Sequence, residues 1–277
     1  MKISFPFLTI IISVAIWTTP NLHADMYFTA DKDFDIGSDS YRKGDIVEYE
    51  STPSSTLFFD RDLVTGGNDV LTAVHRHGLS GLIFTTQGNF EIGADSFDRG
   101  DLVLYDLNTD TATKFFDRDL ITNGNRNVTA ATLLTNGNLI FTTENDFEVG
   151  TALFEAGDLA LYDFATGTAS LYFDRDLITD GDQEIQSTHV LANGNILFTT
   201  AGESTIGSDS YQEGDVILYD FTSGSSSLYL DRDVITDGGQ SIIAFSLAVP
   251  EPSGALIGCF ALGLVGLRRQ RSVKQVQ

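Results

Sequence analysis

The chain predicts an all-β fold: four like units, most simply closed into a four-bladed β-propeller. Three observations carry that expectation. The segment Phe59-Asp60-Arg61-Asp62-Leu63 returns at residues 116–120 and 173–177, and in weaker form at 230–234, so that Asp60, Asp117, Asp174 and Asp231 stand 57 residues apart. Gly44-Asp45, Gly100-Asp101, Gly157-Asp158 and Gly214-Asp215 keep nearly the same interval, and each opens an apolar run that ends in tyrosine. Each unit holds about four short apolar runs separated by turn residues, the pattern of propeller blades, whereas one coil of a β-helix is shorter. The ends of the repeated body are also permuted. Residues 26–29 (MYFT) match the second strand of a unit and 241–248 (SIIAFSLA) match the first, an arrangement that closes a ring and removes a sticky edge. The runner-up is an open stack of hairpin units or a sandwich.

Taken in order, residues 1–24 carry an early Lys2, an apolar run over 5–17 and a Leu22-His23-Ala24 ending, the pattern of a secretory signal peptide cut before Asp25. That run is shorter than the roughly 20 residues of a spanning helix, which disfavours an uncleaved anchor. The repeated body follows over residues 25–248. Residues 25–249 hold 11 of the chain's 16 basic residues and 38 of its 39 acidic ones, a formal charge of −27. A surface that acidic repels phosphate backbones, which excludes nucleic acid as a partner and favours counter-ion binding. The single cysteine, Cys259, forms no intrachain disulfide, so packing must hold the body together.

One unit shows how its strands arise. In the third copy, the alternating run 185–191 (IQSTHVL) meets 196–200 (ILFTT) across Asn193-Gly194, and Asn136-Gly137 is the same joint one unit earlier. Asn-Gly between such runs signals a hairpin, because the turn needs positive φ. Glycines 37, 93, 150 and 207 precede glycines 44, 100, 157 and 214 by seven residues in every copy, which predicts positive-φ positions in a shaped loop. Tyr41, Phe97, Phe154 and Tyr211 stand between them as core plugs rather than ligand-stacking platforms. Thr72, Ala130, Ser187 and Ala244 are small where four inner strands would crowd an axis.

The acidic loops invite a metal. Asp174, Asp176, Asp180 and Asp182 could hold calcium weakly, yet Ile178 and Thr179 stand where a calcium loop of the EF-hand kind needs an oxygen ligand and a glycine. The competing account has the aspartates cap turns while the arginines pair with neighbouring carboxylates. No other cofactor is expected. Paired carboxylates could also serve a glycosidase, but a catalytic pair needs two different environments, and residues present in all four copies have nearly one. An active site should therefore break the repeat. The conspicuous breaks are the insertion His75-Arg76-His77, with His189 as companion, and Glu48 where other units carry Leu104, Leu161 and Leu218. No phosphate loop, metal-ligand cysteine set or serine elbow is present.

After the body comes Pro250-Glu251-Pro252, then an apolar segment over 253–267, then Arg268, Arg269 and Arg271. The pattern predicts a stiff extended joint at the prolines, a short transmembrane helix over the apolar segment, and arginines that stay cytoplasmic. Residues 249–277 resemble the PEP-CTERM sorting signal of Gram-negative bacteria in all three parts. The resemblance implies recognition of Pro250, Glu251 and Pro252 by an exosortase-like membrane enzyme, a precursor held in the inner membrane, and a mature protein at the cell surface or in the exopolysaccharide matrix of a biofilm. The expected function is that of a non-enzymatic acidic scaffold or binding module, with matrix polysaccharide as a partner. The alternative is a propeller enzyme acting on polysaccharide.

Overall fold

The computed structural model describes residues 25–50, 54–65, 70–124, 127–178, 180–181, 184–235 and 239–248. The expected signal peptide, the Pro-Glu-Pro motif, the transmembrane helix over 253–267 and the arginines after it lie outside the described residues. Within those residues no helix is long and apolar enough to cross a membrane.

Four antiparallel sheets of four strands make the body a four-bladed propeller. From axis to rim, the first blade runs Ile242–Leu247, Met26–Ala30, Ile46–Tyr49 and Ser55–Phe59. The second runs Leu71–His77, Gly81–Thr86, Leu102–Asp106 and Thr111–Phe116. The third runs Val128–Leu133, Leu139–Thr143, Leu159–Asp163 and Thr168–Phe173. The fourth runs Ile185–Val190, Ile196–Thr200, Val216–Asp220 and Ser225–Leu230. The second strands are buried along their whole length, which is why they read as unbroken apolar-and-threonine runs. Outer strands such as Thr168–Phe173 are largely exposed and end on a buried phenylalanine.

The ring closes as the permuted ends require. Met26 pairs with Leu247, Tyr27 with Ser246, Phe28 with Phe245 and Thr29 with Ala244, so the first strand of the body completes its blade with the last. The Ala248 amide donates to the Asp25 carbonyl at 2.7 Å, just beyond the paired strands. This register rules out the open stack, since the two segments share one sheet.

Each repeat also carries a small hairpin that is less legible in sequence, because its strands are only three residues long. Phe34–Ile36 pairs with Asp39–Tyr41, and the later copies are Phe90–Ile92 with Asp95–Phe97, Phe147–Val149 with Ala152–Phe154, and Ser204–Ile206 with Asp209–Tyr211. Gly37, Gly93, Gly150 and Gly207 take φ near +60° at its turn, where a side chain would be strained. Tyr41, Phe97, Phe154 and Tyr211 are all buried, the first three against a phenylalanine of the facing strand at 5.0–5.4 Å between ring centres. They are core plugs, as expected.

The core lies in four clusters, one at each blade junction. Here the first residues of the repeated motif act. Phe59 leaves the rim of the first blade and meets Phe84 and Tyr105 of the second at 5.5 and 5.1 Å. Phe116 meets Phe141 and Tyr162 in the same way, and Phe173 meets Phe198 and Tyr219. In the fourth copy Leu230 takes that place, partly buried against the cluster that contains Phe28 and Val47. The motif therefore bolts each blade to the next.

Candidate functional site

Carboxylates are the most numerous charged groups of the chain, and many of them belong to the repeat. Each motif folds into one tight helical turn: Arg61–Leu63, Arg118–Leu120 and Arg175–Leu177 as 3-10 turns, and Arg232–Ile235 as a single α turn. Asp60, Asp117, Asp174 and Asp231 accept through Oδ1 from the amide two residues on, each at 2.9 Å. The aspartates of the Gly-Asp pairs are buried and accept twice. Asp45, Asp101, Asp158 and Asp215 take the amide of the motif arginine on Oδ1 at 3.0–3.2 Å. Their Oδ2 atoms take an amide three residues back, at 2.9–3.1 Å. The guanidinium of each motif arginine donates to the carbonyl just before the glycine, in Lys43, Arg99, Ala156 and Glu213. The two sequence motifs are one clasp, built of charge-assisted hydrogen bonds.

Surroundings vary by copy. Arg42 bridges Asp60 and Asp62 at 2.8 and 2.9 Å, and Lys114 reaches Asp101 at 2.8 Å. Of the four calcium candidates, Asp174 caps its turn and Asp176 is exposed. With Asp180 they do not form a metal-holding group among the described residues. Asp182 lies outside those residues.

The irregular residues of the first two blades separate into two places. Glu48 accepts from the Tyr27 hydroxyl at 2.7 Å. Burial, with that carboxylate beside it, pushes the Tyr27 phenol up to about 12. The Arg76 guanidinium lies 4.9 Å from the Phe58 ring centre and 5.6 Å from that of Tyr27, and it donates to the carbonyls of Gly81 and Leu79. Arg76 thus ties the second blade to the first, whereas the bond between Tyr27 and Glu48 lies within the first blade. His77 is exposed at a strand end, while His75 turns inward and faces His189 across the axis, with ring centres 6.2 Å apart. The sequence suggested His75 with His77; the fold pairs His75 with His189 instead.

Where the inner strands begin, a cavity of about 470 Å³ opens over the axis. Thr72, Thr129, Gln186 and Ile243, one from each inner strand, form its floor. Thr72 therefore lines this mouth, while Ala130, Ser187 and Ala244 are packed out of reach of solvent. The wall is polar and uneven. Arg99 Nη2 and Asn127 Nδ2 both donate to Glu144 Oε2, at 2.7 and 2.9 Å, and Gln87 and Glu184 stand beside them. The Gln186 side-chain carbonyl is buried with no partner. The repeat also breaks here. The place of Arg99 holds Lys43, Ala156 and Glu213 in the other copies, and that of Glu144 holds Asp31, Gln87 and Ala201. Those columns were readable beside the fixed Gly-Asp and Phe-Thr landmarks, but only the ring brings Gln87, Arg99 and Glu144 to one mouth. Chemically, the mouth gathers donors in Arg99 and Asn127 and acceptors in Gln186 and two carboxylates, Glu144 and Glu184, the groups that hydroxyl-rich ligands bond.

No family model matches the chain, and no curated protein matches it. Among solved structures it is similar to a chain of the nidogen/laminin complex, with 8% identity and TM-score 0.42 over 82% of this chain and 99% of that one. An auxiliary nutrient binding protein from Bacteroides thetaiotaomicron is similar at 14% identity and TM-score 0.35, over 74% of this chain. TolB from Acinetobacter baumannii is similar at 16% identity and TM-score 0.31, over 67%. The chain spans 42% and 37% of the lengths of those last two proteins. Its class, a four-bladed propeller, rests on its own sheet order.

Proposed function

We propose that this protein is an exported, non-enzymatic binding scaffold whose axial mouth takes a segment of matrix polysaccharide. The observation that carries the reading is the mouth itself: Arg99, Asn127, Glu144, Glu184 and Gln186 gather there, at a place where the repeat is broken. Elsewhere the first aspartate of each Asp-Arg-Asp and the aspartate of each Gly-Asp are committed to backbone amides, which makes these eight clasps rather than acids and bases. The Pro250-Glu251-Pro252 tail supports the address: processing by an exosortase-like enzyme from an inner-membrane precursor, then residence at the surface or in the matrix. A second reading, an enzyme acting on polysaccharide, is favoured by Glu144 and Glu184 lining one cavity.

One experiment addresses both readings. The full chain and its Arg99→Ala and Glu184→Gln variants are titrated with neutral and anionic polysaccharides, and released reducing ends are assayed in parallel. Binding that weakens at least about tenfold in Arg99→Ala, from a lost hydrogen-bonded charge, with no reducing ends released, is the expected result. Reducing ends that vanish in Glu184→Gln would establish the enzyme instead. Binding indifferent to Arg99 would overturn the mouth as the site.

A further inference from the structure

Midway along the axis, each inner strand contributes one polar side chain at the same level. His75, Thr132 and His189 pair with Ile83, Ile140 and Leu197 of their second strands, and Ser246 pairs with Tyr27, the matching position of the first blade. The histidines belong to the second and fourth blades, which lie opposite one another in the ring. Thr132 and Ser246 are already committed. The Thr132 hydroxyl donates to the Thr188 carbonyl at 2.5 Å, and that of Ser246 accepts from the Arg76 amide at 3.0 Å. The histidines are not: His75 and His189 are 6% and 9% exposed, and Nδ1 of each is buried without a partner.

A buried imidazole nitrogen left unpaired costs free energy, and the two rings, their planes 29° apart, place two such nitrogens at one level of the axis. Two imidazoles bridged by one ion, at the ~2.0–2.1 Å typical of metal–nitrogen bonds, have ring centres roughly 6 Å apart. The observed separation is 6.2 Å. Burial, then the neighbouring His189 and His77, lowers the His75 pKa to about 3, and burial lowers that of His189 to about 4, so both rings keep a free lone pair at neutral pH. Among the described residues no further His, Cys, Asp or Glu joins them to make a larger ligand group.

We propose that His75 and His189 bind one monovalent copper ion on the propeller axis, cross-linking the second and fourth blades. Imidazole is a good copper ligand, and a monovalent d10 ion accepts two nitrogens in line. Zinc calls for four ligands, and a divalent charge buried with no anion beside it is costlier. Calcium needs oxygen, which the pair does not supply.

The test is anaerobic titration of the full chain with Cu(I) against a chromophoric Cu(I) chelator. A Cys259→Ser background removes the only thiol. The expected result is uptake of one ion per chain with a raised melting temperature, both lost in His75→Gln and in His189→Gln and both kept in His77→Gln. Metal-free melting curves of each variant establish that it is folded, and X-ray absorption reads the ligand shell of the loaded wild type directly. A two-nitrogen shell supports the site. Uptake unchanged in either axial variant, a shell containing sulfur or carboxylate, or binding of Zn(II) in preference to Cu(I) would each overturn it.

Discussion

Asp101 shows what a single residue can hold. Fully buried, it accepts the Arg118 amide on one oxygen and the Asp98 amide on the other, and Lys114 lies 2.8 Å away. Asp101→Ala leaves two backbone amides unpaired at the junction of loop and turn, and should cost roughly 2–5 kcal/mol. Asp101→Asn, which keeps one acceptor, should cost about half that. Urea unfolding of the two variants checks the ranking, and an unshifted midpoint in Asp101→Ala would show the clasp to be ornamental. At this scale the sequence was partly legible. The interval of Gly-Asp and Asp-Arg-Asp was plain, and turn capping was one of two readings of the aspartates. The contact between the motifs was not, because they lie 17 residues apart, on loops joined by an outer hairpin. His75 and His189 were harder still, since nothing local marks a pair separated by two blades.

The strand Ile242–Leu247 has the largest consequence among the elements. It is buried throughout, and its partner Met26–Ala30 is the first strand of the body. Replacing residues 242–247 with a Gly/Ser segment removes that partner and uncovers Phe28 and Val47 of the first blade. The loss of cooperativity should exceed that from replacing an outer strand of similar length, such as Ser225–Leu230, which is largely exposed. Calorimetric melts of the two variants decide it: equally sharp transitions would mean that the ring does not depend on its closure. This element was legible from two sequence matches, because the same apolar pattern serves the same place in every blade. The three-residue hairpins were less so, being too short for a period to register.

Over the whole body, −27 on residues 25–249 makes self-repulsion a standing cost of compactness. Divalent cations should relieve it by weak binding over the acidic surface, since among the described residues Asp174, Asp176 and Asp180 do not gather into one metal-holding group. A melting temperature higher in millimolar calcium than in sodium chloride of equal ionic strength is the predicted outcome; site saturation at a hundredfold excess over Kd is worth about 2.7 kcal/mol. Equal melting temperatures would reduce the effect to screening. The closure of the ring also decides how the body is presented. Asp25 and Ala248 lie side by side, joined by a hydrogen bond, at the far end of the inner strand that begins beneath the mouth. Leu247 is four residues past Ile243, or about 13 Å down the axis. Ala248 therefore stands at the base of the ring, and the mouth opens on the opposite face.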